Sequence, residues 1–438
     1  AHAGYTEDGV LMGVPILTEP EAAGSNFNVP RSTFVDCMKA LKEDARLALE
    51  GLPWEYGDAA EMQRLSAKYA GADQSKVTRV FGANFIGRMS GKVVEAFVAK
   101  VDLLAASPAY SDQSGVDWKT AAASAAKVLN HIGGVDGMDP TGWTWYCNAD
   151  DIENLSPTES PAEILWRGER AKSLSLEEDN FPPTLYGNGR INPTQNLVDA
   201  FPMLNGYPVS HQSGEYDENL PYANRDPRLE AYILYNGGKA GNTNKEIFTA
   251  ADGTTNDALN KVVGRSTRTG YYLRKLLRQD ISLDPNAKAD QYHYTPRIRY
   301  TEIFLAYAEA ANQAYGPQNK GGNSYSAYDV MKKLRHRAGI GLDNGDAYLE
   351  SIKNDQAKMA ELIRNERRIE LCFEGFRFWD LRRWKSNLTE AAKGMNISGT
   401  RYTPMEVDKR SFSEYMYYGP IPYSEVLKYD ELKQNQGW

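Results

Sequence analysis

Between Arg364 and Trp384 the chain reads RNERRIELCFEGFRFWDLRRW, in which six Arg and four Asp/Glu alternate with Phe373, Phe376, Phe378, Trp379 and Trp384. Residues of these types can bind an anionic ligand, act in catalysis, or form an ion-pair network that fixes how two helices meet. No solvated helix needs that many aromatics, so part of the charge is expected inside. Read with a helical period, Leu362, Glu366, Ile369, Phe373 and Phe376 fall on one seam at steps of four, three, four and three, which places one carboxylate on an apolar face. A buried carboxylate must be paired and hydrogen-bonded, and Arg367, Arg368, Arg377, Arg382 and Arg383 are the candidates nearest in sequence. Buried charge networks set packing more often than chemistry, so Glu366 and Arg377 are expected to be structural. Gly375 is expected to end the first helix in a left-handed cap and to let Phe376–Trp384 turn back against it.

Other reactive constellations are missing from the sequence. Histidines stand alone at His2, His131, His211, His293 and His336, without H-E-x-x-H or H-x-H spacing, which argues against a metal hydrolase. There is no G-x-S-x-G elbow, no P-loop and no G-x-G-x-x-G after a strand, which argues against nucleotide enzymes and serine hydrolases. Asp136, Asp139, Asp150, Asp151 and Glu153 crowd one stretch but lack EF-hand spacing and read as solvated acids. A glycosidase needs two carboxylates a few ångströms apart, and 58 Asp and Glu leave that alternative open. Cys37, Cys147 and Cys372 form no C-x-x-C and signal neither a disulfide framework nor zinc, a Cys37–Cys147 bridge being the outside alternative. The expectation is no catalytic residue, no metal and no cofactor.

Sugar binding without catalysis asks for aromatic platforms on loops, with amides, acids or Arg beside them to meet hydroxyls. FPPTLYGNGRIN (181–192) offers Tyr186 flanked by Asn188, Arg190 and Asn192, with two prolines stiffening the approach. GWTWYCNADD offers Trp143, Trp145 and Tyr146 before Asn148 and Asp150, and 213–222 offers Tyr216 and Tyr222. The competing role for each ring is that of a buried loop anchor, and Trp145 and Tyr146 suit a core best. Tyr186, Asn188, Arg190, Trp143 and Tyr216 are the candidate ligand-binding residues.

The elements that position these groups follow from periodicity. Residues 32–49 carry Phe34, Val35, Met38, Leu41, Ala45 and Ala48 at helical spacing and stop at Leu52-Pro53. Residues 93–106 and 118–132 read as a helical hairpin, with Ala121–Ala126 small enough for close packing, and 161–166 continues the helical pattern. Residues 297–316 and 325–338 form a pair that resembles a tetratricopeptide hairpin. Gly, Asn and Pro mark long loops at 133–142, 185–193 and 236–269. Short strands are expected near 229–235 and 271–275.

At 438 residues, 41% hydrophobic and 25% charged, the chain can bury a large core and is neither disordered nor fibrous. Its net charge of −8 with short, isolated basic runs disfavours nucleic acid and anionic membrane surfaces. Aromatic residues reach 11%, with 27 Tyr, a surplus of the kind sugar recognition uses. No stretch approaches the ~20 apolar residues of a membrane span, and the first residues, AHAGYTEDGV, lack a signal-peptide core.

The 364–384 string also resembles the C-terminal signature of SusD/RagB-like proteins, the surface glycan-binding lipoproteins of Bacteroidetes. The matching positions are Glu366, Arg367, Arg368, Glu370, Leu371, Phe373, Glu374, Gly375, Arg377, Asp380, Leu381, Arg382, Arg383 and Trp384. VPILTEP (14–20), LLAASPAY (103–110), PTQNLVDAFPMLNGYPV (193–209), RDPRL (225–229), KKLRHRAGI (332–340) and the closing GPIPYSEVLKYDELKQNQGW (419–438) are similar to family segments in the same order. The resemblance implies a mainly α fold in which tetratricopeptide-like hairpins carry an irregular, loop-rich lobe with a few short strands. It divides one SusD-like domain, 1–438, into helical hairpins at 32–132, a ligand-binding lobe at 133–296, and tetratricopeptide-like helices with the signature at 297–438. An additional helical region that precedes the VPLVTEP-like segment in the family has no counterpart here. The implied function is non-catalytic capture of an oligosaccharide and its delivery to a SusC-like TonB-dependent transporter. The implied place is the outer membrane's extracellular face, reached through a lipid anchor outside this sequence. The alternatives are an oligopeptide binder like RagB, a structural scaffold for the transporter, or a glycoside hydrolase.

Overall fold

In a computed structural model, which describes residues 2–156 and 159–438, the first helical periodicity folds as Phe34–Gly51. Thr33 starts it by accepting a hydrogen bond from the Asp36 amide, and Leu52 ends it. The chain divides into two compact units, one of Ala1–Val128, Gly375–Thr389 and Ser411–Trp438, the other of Leu129–Glu374 and Glu390–Arg410.

In the first unit, helices Gly91–Ala106 and Trp118–Asn130 form the expected hairpin, packed through buried Ala121, Ala122, Ala125 and Ala126. Asp102, 1% exposed, ties three helices together: the Ser124 hydroxyl donates to it at 2.6 Å and the Lys42 ammonium lies 3.0 Å away. The short helix Arg377–Arg383 belongs to this unit. In it Arg383 pairs with Asp380 at 2.9 Å and donates to Ser107 at 3.0 Å, while Trp384 is buried beside the Arg383 guanidinium. Phe378 and Trp379 stay about half exposed, and the Arg382 guanidinium covers the Phe378 ring at 3.5 Å.

In the second unit, helix Tyr300–Tyr315 packs against both Ala327–Arg337 and Gln356–Glu370. Buried Ala306, Ala308, Ala310 and Ala311 allow the close approach, and a Ser326/Asp329 capping box starts the second helix. The loop-rich part adds two-stranded antiparallel ladders. Of the strand expected near 229–235 only Ile233–Leu234 is extended, residues 227–232 being helical, and it pairs with Tyr272–Leu273 from the strand expected near 271–275. Ala392–Ser398 pairs with Arg401–Asp408, a hairpin that the periodicity did not mark. An aromatic core of Trp145, Tyr146, Phe201, Tyr232, Tyr271 and Tyr294 lies beneath these loops.

Three expectations need correction. Ile164–Arg167 is a strand paired with Pro296–Arg299 rather than the continuation of a helix, so the following helix starts at Tyr300 instead of residue 297. The reason is ionic: the extended pairing sets Arg299 2.7 Å from buried Glu163, whose backbone carbonyl also accepts from the Tyr300 amide. The signature helix ends at Glu370, and the left-handed turns fall later, at Phe373 (φ 64°) and Gly375 (φ 84°). All three cysteines are free, so there is no Cys37–Cys147 bridge.

Candidate functional site

Glu366 is fully buried, as its place on the apolar seam requires, but its partners are not the Arg residues nearest in sequence. Arg228 donates to one carboxylate oxygen and Arg335 to the other, each at 2.8 Å. The difference is geometric: Arg367 and Arg368 share the Glu366 helix, whereas Arg228 and Arg335 reach in from separate elements. Arg228 sits in the short helix Pro227–Tyr232, begun by Asp226, whose carboxylate takes both the Arg228 amide and its guanidinium. Arg335 is held by Asp346 at 2.6 Å.

The network continues through Glu370, 3.0 Å from Arg228 and 3.3 Å from Arg337, to Arg299, which bridges Glu163 and Glu374 at 2.7 Å each. Lys275, itself fully buried, donates to Glu374 and to the Glu370 and Cys372 carbonyls. At Gly142 a Cβ would lie 2.3 Å from Glu163, so glycine there lets the loop pass over the network. Burial disfavours the ionised form of Glu370, yet Arg337, Arg228, Arg299 and Lys275 outweigh it and hold the carboxyl at about 2. Glu366 and Glu374 are lowered on the same balance. Every charge here is matched by a buried partner, which leaves nothing to meet a ligand; the cluster locks helices, strands and loops of this unit together. Of the remaining signature residues in this unit, Arg367 is buried and Arg368 half-buried.

The loop carrying Tyr186 has the opposite character. Tyr186 is 54% exposed and its backbone is left-handed at φ 65°, a conformation that costs a non-glycine residue about 1–3 kcal/mol. Four backbone hydrogen bonds at 2.9–3.2 Å hold the turn: Gly187 to Pro182, Asn188 to Glu178, Gly189 to Phe181 and Arg190 to Asp179. At Gly189 (φ +53°) a Cβ would meet the Arg265 carbonyl at 2.3 Å, so a side chain there would force the two segments apart. Arg190 is exposed and pairs with Asp179 at 3.1 Å, and Asn188 is half-buried beside it. The Asn192 amide is engaged inside the loop, donating to the Gly189 carbonyl and accepting from the Arg268 amide.

Sequence reasoning placed residues 262–268 within the long loop 236–269 but not beside Tyr186. Arg265 donates to the Gly187 carbonyl at 2.9 Å, which joins the turn to the Tyr186 loop, and Val263 there is 99% exposed. The two joined segments carry Tyr186, Ile191 and Val263 as exposed apolar groups and Arg190, Arg265 and Arg268 as exposed cations. The one available signal was the Gly264-Arg265-Ser266 turn composition, which says nothing of where the turn docks.

The remaining candidates take other positions. Trp143 is half-buried against Tyr232, with ring centroids 6.3 Å apart, and Tyr232 donates to its carbonyl. Trp143→Ala should therefore lower stability by about 2 kcal/mol, less than for a fully buried Trp, in a denaturant titration; an unchanged midpoint would make it a free platform. Tyr216 is partly exposed over the Arg225 guanidinium at 5.6 Å. Trp145 and Tyr146 are core, and Tyr222 stacks on Tyr235 at 4.2 Å. Among the described residues no three His, Cys, Asp or Glu gather as a metal site. Asp139 caps its own turn and Glu153 pairs with Arg278.

Comparison with known proteins gives a consistent result. A sequence model of the SusD family matches residues 165–438. SusD-like protein P2 of Formosa agariphila is 32% identical over 152 residues, 34% of this chain and 26% of that protein. SusD-like protein P38 of the same organism is 33% identical over 85 residues, 19% of this chain and 16% of that protein. These matches therefore span about a quarter or less of the curated relatives. A SusD-like protein of Bacteroides fragilis superposes over 100% of this chain and 76% of its own, with TM-score 0.70 and 25% identity. A second B. fragilis structure, described as a SusD-like carbohydrate binding protein, shares the fold at TM-score 0.68 and 22% identity, over 97% of this chain and 76% of its own.

Proposed function

We propose a function from the premise that the chain belongs to the SusD family: it binds an oligosaccharide without catalysis and delivers it to a SusC-like TonB-dependent transporter. The binding face is the Tyr186 loop with its neighbouring 262–268 turn. The observation that carries this reading is Tyr186 itself, an exposed ring on a loop whose backbone is already fixed before any ligand arrives. A ring carried on a backbone already held loses less entropy on contact than one on a loop that must first be ordered, so more of the stacking on a pyranose face goes into affinity. Arg190 and Arg265 supply donors for hydroxyls, and Asp179 supplies an acceptor.

The place of action is the extracellular face of the outer membrane, held by a lipid anchor. No helix among the described residues is long and apolar enough to cross a membrane. Capture favours whichever transporter-bound state holds the ligand more tightly, and that differential affinity drives closure and delivery.

The test is affinity electrophoresis of the purified chain against a panel of polysaccharides, with a peptide library screened in parallel. Retardation by at least one polysaccharide, recovered at unchanged length, is the expected result. Binding confined to peptides would replace the glycan with an oligopeptide ligand, and shortening of the polysaccharide would overturn the non-catalytic assignment.

A further inference from the structure

We propose that a second saccharide-binding site lies in the unit built from the chain's two ends, in a cavity of about 540 Å³ walled by Tyr5, Tyr415, Tyr417 and Tyr418. The inference rests on the glycan-binding reading and extends it to a place distinct from the Tyr186 loop. The volume falls within the ~300–1,000 Å³ of small-molecule sites.

The walls are fixed by their own bonds. The Tyr417 hydroxyl donates to the Ser386 carbonyl at 2.9 Å, that of Tyr418 to the Ala109 carbonyl at 2.7 Å, and that of Tyr5 to Asp112. Beneath them Asn435 donates to the His2 and Gly419 carbonyls and accepts from buried Arg31 at 2.8 Å, which joins the two terminal segments into one floor. Gly437 lies against Tyr415 so closely that a Cβ would come within 2.5 Å of the ring, and Trp438 meets that ring edge-on at 5.0 Å.

The rim is different. Lys385, Glu414 and Gln436 line the opening, and neither their side chains nor the Tyr415 hydroxyl has a hydrogen-bond partner among the described residues. Exposed donors and acceptors of both kinds, engaged by no other protein group, thus line a cavity whose aromatic walls are already held. One ammonium and one carboxylate cancel, so the cavity selects against a phosphate or a polyanion. A purely apolar ligand would displace water from these groups without replacing its hydrogen bonds. A neutral sugar, with C–H faces for rings and vicinal hydroxyls for paired donors and acceptors, suits both features.

The test uses the full chain and neutral gluco-, xylo- and manno-oligosaccharides as probes, read by saturation-transfer NMR and by isothermal calorimetry. The triple variant Glu414→Gln, Lys385→Met, Gln436→Ala alters exposed side chains and leaves the locked walls intact, and Tyr186→Ala is measured beside it. A probe should bind wild type with a component that the rim variant weakens roughly two- to tenfold per lost hydrogen bond and that Tyr186→Ala leaves alone. Binding that depends on Tyr186 and is untouched by the rim variant would overturn this site and leave the proposed function standing. Binding that depends on the rim alone would support this site and move the function away from the Tyr186 face. No binding by any probe would overturn both.

Discussion

Glu366→Ala is expected to destabilise the loop-rich unit by roughly 3–5 kcal/mol, the range found when one partner of a buried ion pair is removed. The Glu366 carboxylate is fully buried and each oxygen takes a guanidinium at 2.8 Å. Alanine would leave Arg228 with Asp226 and Glu370, and Arg335 with Asp346, while a water-sized gap opened between two cations. Glu366→Gln keeps an acceptor but loses the charge, so its loss should be smaller. Denaturant titration followed by aromatic fluorescence reads both. Since no member of the network is accessible, glycan affinity measured on the folded fraction should not change. An unaltered midpoint for Glu366→Ala would mean the network does not hold the fold.

Acid should dissolve the same network. Glu370 has its carboxyl lowered from 4.5 to about 2 in the folded chain. A depressed folded value contributes stability that is fully present above the ordinary 4.5 and is lost as pH falls from there toward 2. The difference corresponds to about 3 kcal/mol for this one group. Glu366 and Glu374 shift in the same direction and steepen the loss. Urea titrations near pH 7, 4.5 and 3 should show little change over the first interval and a steep fall over the second. Equal stability near pH 4.5 and 3 would contradict the network's charge state.

Much of the fold was legible because helices announce themselves by period. Phe34–Gly51, Gly91–Ala106 and Trp118–Asn130 all began within two residues of where the apolar pattern placed them. The burial of Glu366 was legible for the same reason, since a seam identifies the face on which a residue lies. Its partners were not, because Arg228 and Arg335 stand 138 and 31 positions away and ion pairing leaves no local pattern. Strands Ile164–Arg167 and Pro296–Arg299 were misread for a related reason: they are short, and their conformation is set by the Glu163–Arg299 pair across the chain. At the loop face, Tyr186 and Arg190 could be proposed from composition, but Val263 and Arg265 join them through a backbone carbonyl that no sequence pattern marks.

The central claim, that Tyr186 is a platform for sugar, is tested most directly by calorimetric titration of wild type and Tyr186→Ala with the polysaccharide that retards the protein, alongside their melting temperatures. Loss of a ring facing a sugar removes about 1 kcal/mol or more, so affinity should fall at least about fivefold with no change in melting temperature, because the ring is exposed and the loop is held by its backbone. Unchanged affinity with a lowered melting temperature would make Tyr186 a loop anchor and contradict the account.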